Sequence, residues 1–239
     1  MMEKSLAIIE LPQLALAFIP VFAVIFIQFS WSLPQKRTIN ALARMLVQLL
    51  LVGFFLGYIF ESDSAWLVLI LLIIMVLFSS WIALNNIDAP KRELFQRAVL
   101  AISLSGILTL LIITQGVLQL SPWYHAQTLT PLAGMVFASS MNSISLSGER
   151  FYSELANEVG YKQARNIAFQ ASMIPNVNAL LAVGIVSLPG MMTGQILSGV
   201  SPFIAARYQI MVMCMIFASA GISSAYFLYL AKASSEQKV

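Results

Sequence analysis

The chain has 239 residues, 59% of them hydrophobic and only 10% charged, with a formal net charge of +3. Soluble domains carry about 25% charged residues, so a water-soluble globular fold is excluded. The lone Cys214 allows no intramolecular disulfide. The basic residues are scattered over short connections, which excludes a nucleic-acid-binding patch.

Charge-free apolar blocks cover 11–29, 45–60 and 65–86, and about 18 such residues suffice to span a hydrocarbon core of about 30 Å. Glu3, Lys4 and Glu10 flank the first block and no small-residue cleavage site follows it. It is therefore expected to stay as a first helix and not to leave as a signal peptide. The pattern predicts an all-α, polytopic integral membrane protein forming a single membrane domain over 1–239. About seven spans are expected, near 8–30, 44–60, 65–84, 98–118, 131–147, 175–197 and 204–231.

Lys36 and Arg37, then Lys91, Arg92 and Arg97, then Arg150, Lys162 and Arg165, and finally Lys232 and Lys238 fall in alternate connections. By the positive-inside rule these are cytoplasmic, which puts the N-terminus outside and the C-terminus inside. Arg207 sits near the far end of the last span, where it snorkels to the interface or faces a polar cavity. Trp31, Tyr58, Trp66, Trp123 and Tyr124 lie near span ends, as interfacial aromatics do.

The only sizeable hydrophilic stretch is 148–174. In "GERFYSELANEVGYKQARNIAFQASMIP", Phe151, Leu155 and Val159, then Ala164, Ile167, Ala168 and Ala171, recur at helical spacing. Glu149, Glu154 and Glu158 take another side, with Arg150, Lys162 and Arg165 interspersed. Two short amphipathic helices hinged at Gly160 are expected. Such a protrusion suits a grip by another protein, or an amphipathic helix lying on lipid.

Chemistry for catalysis is missing. There is no G-x-x-x-x-G-K-[ST] to cradle a nucleotide and no H-E-x-x-H. No G-x-S-x-G occurs either. The single histidine, His125, stands in a loop beside Trp123 and Tyr124. The chain is expected not to be an enzyme and to hold no cofactor of its own. No Asp or Glu lies deep in an expected span, which argues against a proton- or sodium-coupled carrier.

"VSLPGMMTGQILSGVSP" (186–202) interrupts the sixth span. Pro189, Gly190 and Gly194 read as a helix break, because freed backbone groups at membrane depth need protein or a water-lined cavity. Met191, Met192, Thr193 and Gln195 project from it as candidate pathway residues. Close packing through Gly190-x-x-x-Gly194 is the other reading. On span five, Met135, Ser139, Asn142 and Ser145 share a helix face, with Met141 beside Asn142. Met211, Met213, Cys214 and Met215 add sulfur on span seven. Thioethers suit Cu(I), whereas Fe(II) prefers imidazole and carboxylate; plain packing also explains methionine. A metal-ligand set stays unassigned.

Glu154-Leu-Ala156-x-x-x-Gly160 in a connection, followed by Pro175, resembles the coupling loop of ABC-transporter membrane subunits. "SLSGERF" (145–151), "LPGMMTGQILSG" (188–199) and "ARYQI" (206–210) around it resemble the FetB-type permeases, a family of bacterial iron-export subunits with plant relatives linked to aluminium tolerance. The resemblance implies a permease of an ATP-driven ABC exporter in the bacterial cytoplasmic (inner) membrane, carrying a metal ion, by family iron. It implies a separate ATPase in two copies that holds ATP and magnesium, and a second copy of this chain. Glu149, Arg150, Glu154, Ala156, Gly160 and Arg165 would then couple to that ATPase. A non-transporting membrane scaffold, or a permease for a nucleotide-sugar or lipid, are the alternatives.

Overall fold

The structure, a computed structural model, describes residues 9–61, 64–87 and 89–235. It divides into two compact units, Met1–Tyr58 and Ile59–Val239. All its regular elements among the described residues are helical.

In the first unit, α1 (Leu11–Leu16), α2 (Ile19–Ser30) and the greater part of α3 (Lys36–Glu61) follow one another. The expected first span, 8–30, is matched by Leu11–Ser30, residue 8 lying outside the described residues, but as two consecutive helices and not one. Pro20 has no N–H to offer the carbonyl of Leu16, so the helix breaks at Ala17 and Phe18 and restarts with Pro20 in its first turn.

The second unit begins with α4 (Ala65–Ala83), which ends in the tight 3₁₀ turn Leu84–Asn86. Then come α5 (Lys91–Leu111), running into the π-helical turn Ile112–Val117, and α6 (Ala126–Ala156). α7 (Tyr161–Ala182), α8 (Gly190–Leu197) and α9 (Pro202–Ser235) complete it. Pro202 starts α9, and the Ser201 hydroxyl accepts the N–H of Ile204 at 3.4 Å as a cap.

Among the described residues, four stretches are long and apolar enough to cross a membrane: Leu11–Ser30, Ala65–Asn86, Lys91–Val117 and Pro202–Ala231. The expected spans 44–60 and 131–147 lie inside α3 and α6. The expected span 175–197 is not one helix. α7 stops at Ala182, and 183–189 form a turn in which Ala182 O accepts the N–H groups of Val186 (2.8 Å) and Ser187 (3.2 Å). Gly184, at φ +83°, supplies the left-handed residue that this turn needs. The break thus starts before Pro189, which caps α8, while Gly190 and Gly194 are helical.

α6 packs along α9, α5 and α7, α4 covers α5 and α6, and α8 lies on α9. The crossings are made by small residues. Ser105 and Ser140 share a hydrogen bond at 3.2 Å, Ser140 also donates to Ser219 O at 3.3 Å, and Ser139 donates to Ile216 O at 3.0 Å. Ser172 and Ser224 pair at 3.0 Å between α7 and α9. A hydroxyl lets two backbones approach closely and gives each helix a polar partner that lipid would withhold. Gly148 is the tightest point. A Cβ there would run into the side chain of Ile87 and meet Phe227 Cε1 at 3.1 Å.

Candidate functional site: a helical hairpin and a sulfur-lined cavity

The hydrophilic stretch 148–174 is not a pair of separate short helices. Its first half is the end of α6 and its second half the start of α7. Nothing in the backbone ends α6 at the hydropathy boundary, and Gly148, mid-helix and buried, keeps the helix running. The reversal lies at 157–160. Val159 N–H reaches Glu154 O and Glu158 N–H reaches Leu155 O, both at 3.1 Å, with Glu158 in the left-handed region at φ +62°. This is a Schellman closure of α6. Gly160 then caps α7 with an ordinary φ of −60°.

Under the turn, Phe151, Ala164, Ala168, Leu228 and Ala231 form a hydrophobic cluster, with Leu155, Val159 and Tyr161 packed on it. Phe151 meets the rings of Tyr152 and Tyr161 edge-on at 5.3 and 5.8 Å. The Tyr161 hydroxyl donates to Leu228 O at 3.2 Å. The hairpin is therefore bolted to α9. Tyr152 packs on this cluster and also on the main core. Burial pushes its phenol above the ordinary value, Arg97 pulls it down and Glu93 adds to the rise. These aromatic bolts went unrecognised in the sequence as functional residues; their helical spacing was the signal.

The expected coupling residues part company. Glu154 is 8% exposed and accepts an ion pair from Arg150 at 2.6 Å, so it stabilises the hairpin and does not face outward. Glu149, Arg150, Ala156, Gly160 and Arg165 are exposed. Arg165 donates to Asn166 Oδ1 at 2.9 Å and lies over the Tyr161 ring at 5.9 Å. At Gly160 a Cβ would meet nothing within 4 Å, so nothing within the chain requires a glycine there.

At the other end of α6 lies a cavity of about 590 Å³. α6 supplies Gln127, Thr128, Pro131, Leu132 and Met135, α8 supplies Met191 and Gln195, and α9 supplies Ile204, Tyr208 and Met211. No Asp, Glu, Lys or Arg lines it. Gln195 Oε1 is buried with no hydrogen-bond partner. Of the expected pathway residues, Met191 and Gln195 come together here. Met192 and Thr193 are half-buried on α8 without lining the cavity, and the Thr193 hydroxyl is spent on Pro189 O at 3.1 Å. Met141 packs on the core, and Asn142 is exposed on α6, about 10 Å further along the helix than Met135. Ser145 accepts from Asn86 at 3.3 Å. Met215 is in the core and Cys214 is exposed. His125 bonds Thr128 Oγ1 at 3.0 Å, and Arg207 stacks on Phe203 at 4.8 Å. Among the described residues no three His, Cys, Asp or Glu side chains gather into a metal-binding group.

Comparison with known proteins places the geometry in context. The model of the uncharacterised protein family UPF0014 matches residues 11–235. The chain is 36% identical to a UPF0014 membrane protein of Synechocystis sp. over 76% of each chain. It is 32% identical to the "Probable iron export permease protein FetB" of Escherichia coli, covering 91% of this chain and 88% of that one. It is 24% identical to the protein ALUMINUM SENSITIVE 3 of Arabidopsis thaliana, over 90% and 84%. No solved structure matches.

Proposed function

We propose a function from one premise: the chain belongs to the uncharacterised protein family UPF0014, and it is an integral membrane protein. We take it as the permease subunit of an ATP-driven ABC exporter of metal ions, with iron the cargo that the name of the E. coli relative points to. A separate ATPase, expected in two copies, supplies ATP and magnesium; two copies of this chain form the conduit in the bacterial inner membrane, and neither catalyses a reaction. Seven spans with the N-terminus outside and the C-terminus inside put the hairpin in the cytoplasm, in keeping with the Lys and Arg distribution.

One observation carries this reading. The hairpin apex is exposed and has room at Gly160 for a partner's surface, yet its base is fixed to α9 by Tyr161, Phe151 and Leu228. A push on the apex therefore moves α6, α7 and α9 together. α6 has 31 residues and so is about 46 Å long. α6 and α9 line the cavity at their other ends, and α8 follows α7 through the turn. ATPase closure at the hairpin is thereby converted into a change of the cavity walls, and Asn142 lies on α6 between the two.

The test is transport in inverted membrane vesicles that contain this chain and a candidate ABC ATPase subunit co-expressed with it. ATP-dependent uptake of metal ion is expected, and its absence with both proteins folded contradicts the reading.

A further inference from the structure

We propose that the cavity between α6, α8 and α9 is a binding site for a soft monovalent metal ion of the Cu(I) type, held by the thioethers of Met135, Met191 and Met211 with the Gln195 carboxamide oxygen. This rests on the metal-export part of that reading and departs from its iron cargo. Three observations carry it.

The three methionines come from three different elements and line the same cavity. Each is half-buried and packs on the main core, which holds it in place on one side while the other faces open volume.

Gln195 Oε1 is buried there with no partner. A buried acceptor left unsatisfied costs about 1–3 kcal/mol, and a turn of the Gln195 carboxamide toward a cation in the cavity would remove that cost.

The lining contains no charged side chain. A divalent ion in such a place has no compensating charge and the larger desolvation penalty, while a monovalent ion has the smaller. Thioethers select soft ions, and Fe(II) prefers imidazole and carboxylate, neither of which lines the cavity. Arg207 is exposed on the Phe203 side of α9 and does not line it.

The experiment measures Ag(I) and Cu(I) binding to the purified permease alone in detergent, by competition with a chromophoric chelator, in a Cys214→Ser background because the exposed Cys214 thiol would itself bind these ions. Stoichiometric binding is expected, with Fe(II) in large excess failing to displace it. Met135→Leu, Met191→Leu and Met211→Leu nearly conserve volume, so the fold is kept. Each should weaken binding about tenfold or more, and the triple variant should abolish it. Met192→Leu, on α8 outside the cavity, should leave it unchanged. Absence of Ag(I) binding, equal binding by the three single variants, or displacement by equimolar Fe(II) overturns the proposal. Should the triple variant not fold, the single variants decide. No ATPase is present in this measurement, so its failure leaves the transport reading standing, and failed vesicle transport leaves the site standing.

Discussion

The Tyr161 hydroxyl donates to the main-chain carbonyl of Leu228 at 3.2 Å, across the seam between the start of α7 and the end of α9. Removing it with Tyr161→Phe keeps the ring against Phe151 and costs about 1 kcal/mol. Thermal unfolding in detergent should shift by only a few degrees. Metal moved per ATP hydrolysed should fall by more than that shift explains, because the bond joins the hairpin to the helix that lines the cavity. Unchanged coupling in a folded Tyr161→Phe protein would remove the bolt from the mechanism.

Gly148 is required by space. Gly148→Ala drives its Cβ into Ile87, and overpacking of this kind costs about 1–3 kcal/mol. Gly148→Leu should yield little folded protein by size-exclusion chromatography. Adding Ile87→Ala to Gly148→Ala should restore part of the lost stability, since the clash is with that side chain.

Glu158 occupies a left-handed conformation, φ +62°, in which an L side chain costs about 1–2 kcal/mol. Glu158→Gly should therefore raise the melting temperature, and Glu158→Val should lower it. A lower melting temperature for Glu158→Gly would contradict the Schellman geometry of this turn.

Ser140 serves two crossings at once, with Ser105 on α5 and the Ser219 carbonyl on α9. Ser140→Ala removes both bonds but keeps the close approach, so a loss near about 0.6 kcal/mol per bond is expected. Ser140→Leu pries the helices apart and should cost several times more, measured as the urea or thermal midpoint of the solubilised protein.

The apolar blocks located the elements well where a block is also a helix: the expected 65–84 and the observed Ala65–Ala83 nearly coincide. The spacing of Phe151, Leu155, Val159, Ala164 and Ala168 picked out side chains that meet in one cluster. Hydropathy could not show where helices end, because ends are set by backbone hydrogen bonds. Pro20 splits a block that is uniformly apolar, and α6 runs straight through the polar boundary at Gly148. Gly190 and Gly194 looked like helix breakers, yet the turn at 183–189 is made by Gly184 and the chain before Pro189. The burial of Glu154 and the meeting of Met135, Met191 and Met211 depend on how distant helices pack, which no local spacing encodes.

Gly160 offers the most direct measurement, since its surroundings are empty and its φ is ordinary, so a large side chain there leaves the fold intact. The tagged chain is co-expressed with a candidate ABC ATPase subunit and captured in mild detergent, as wild type and as Gly160→Trp. The wild type should bring the ATPase down in equal amount, and Gly160→Trp should elute as a folded protein without it. A wild-type chain that holds no nucleotide-binding partner, or a Gly160→Trp chain that holds it as firmly, would contradict a hairpin driven from outside the chain.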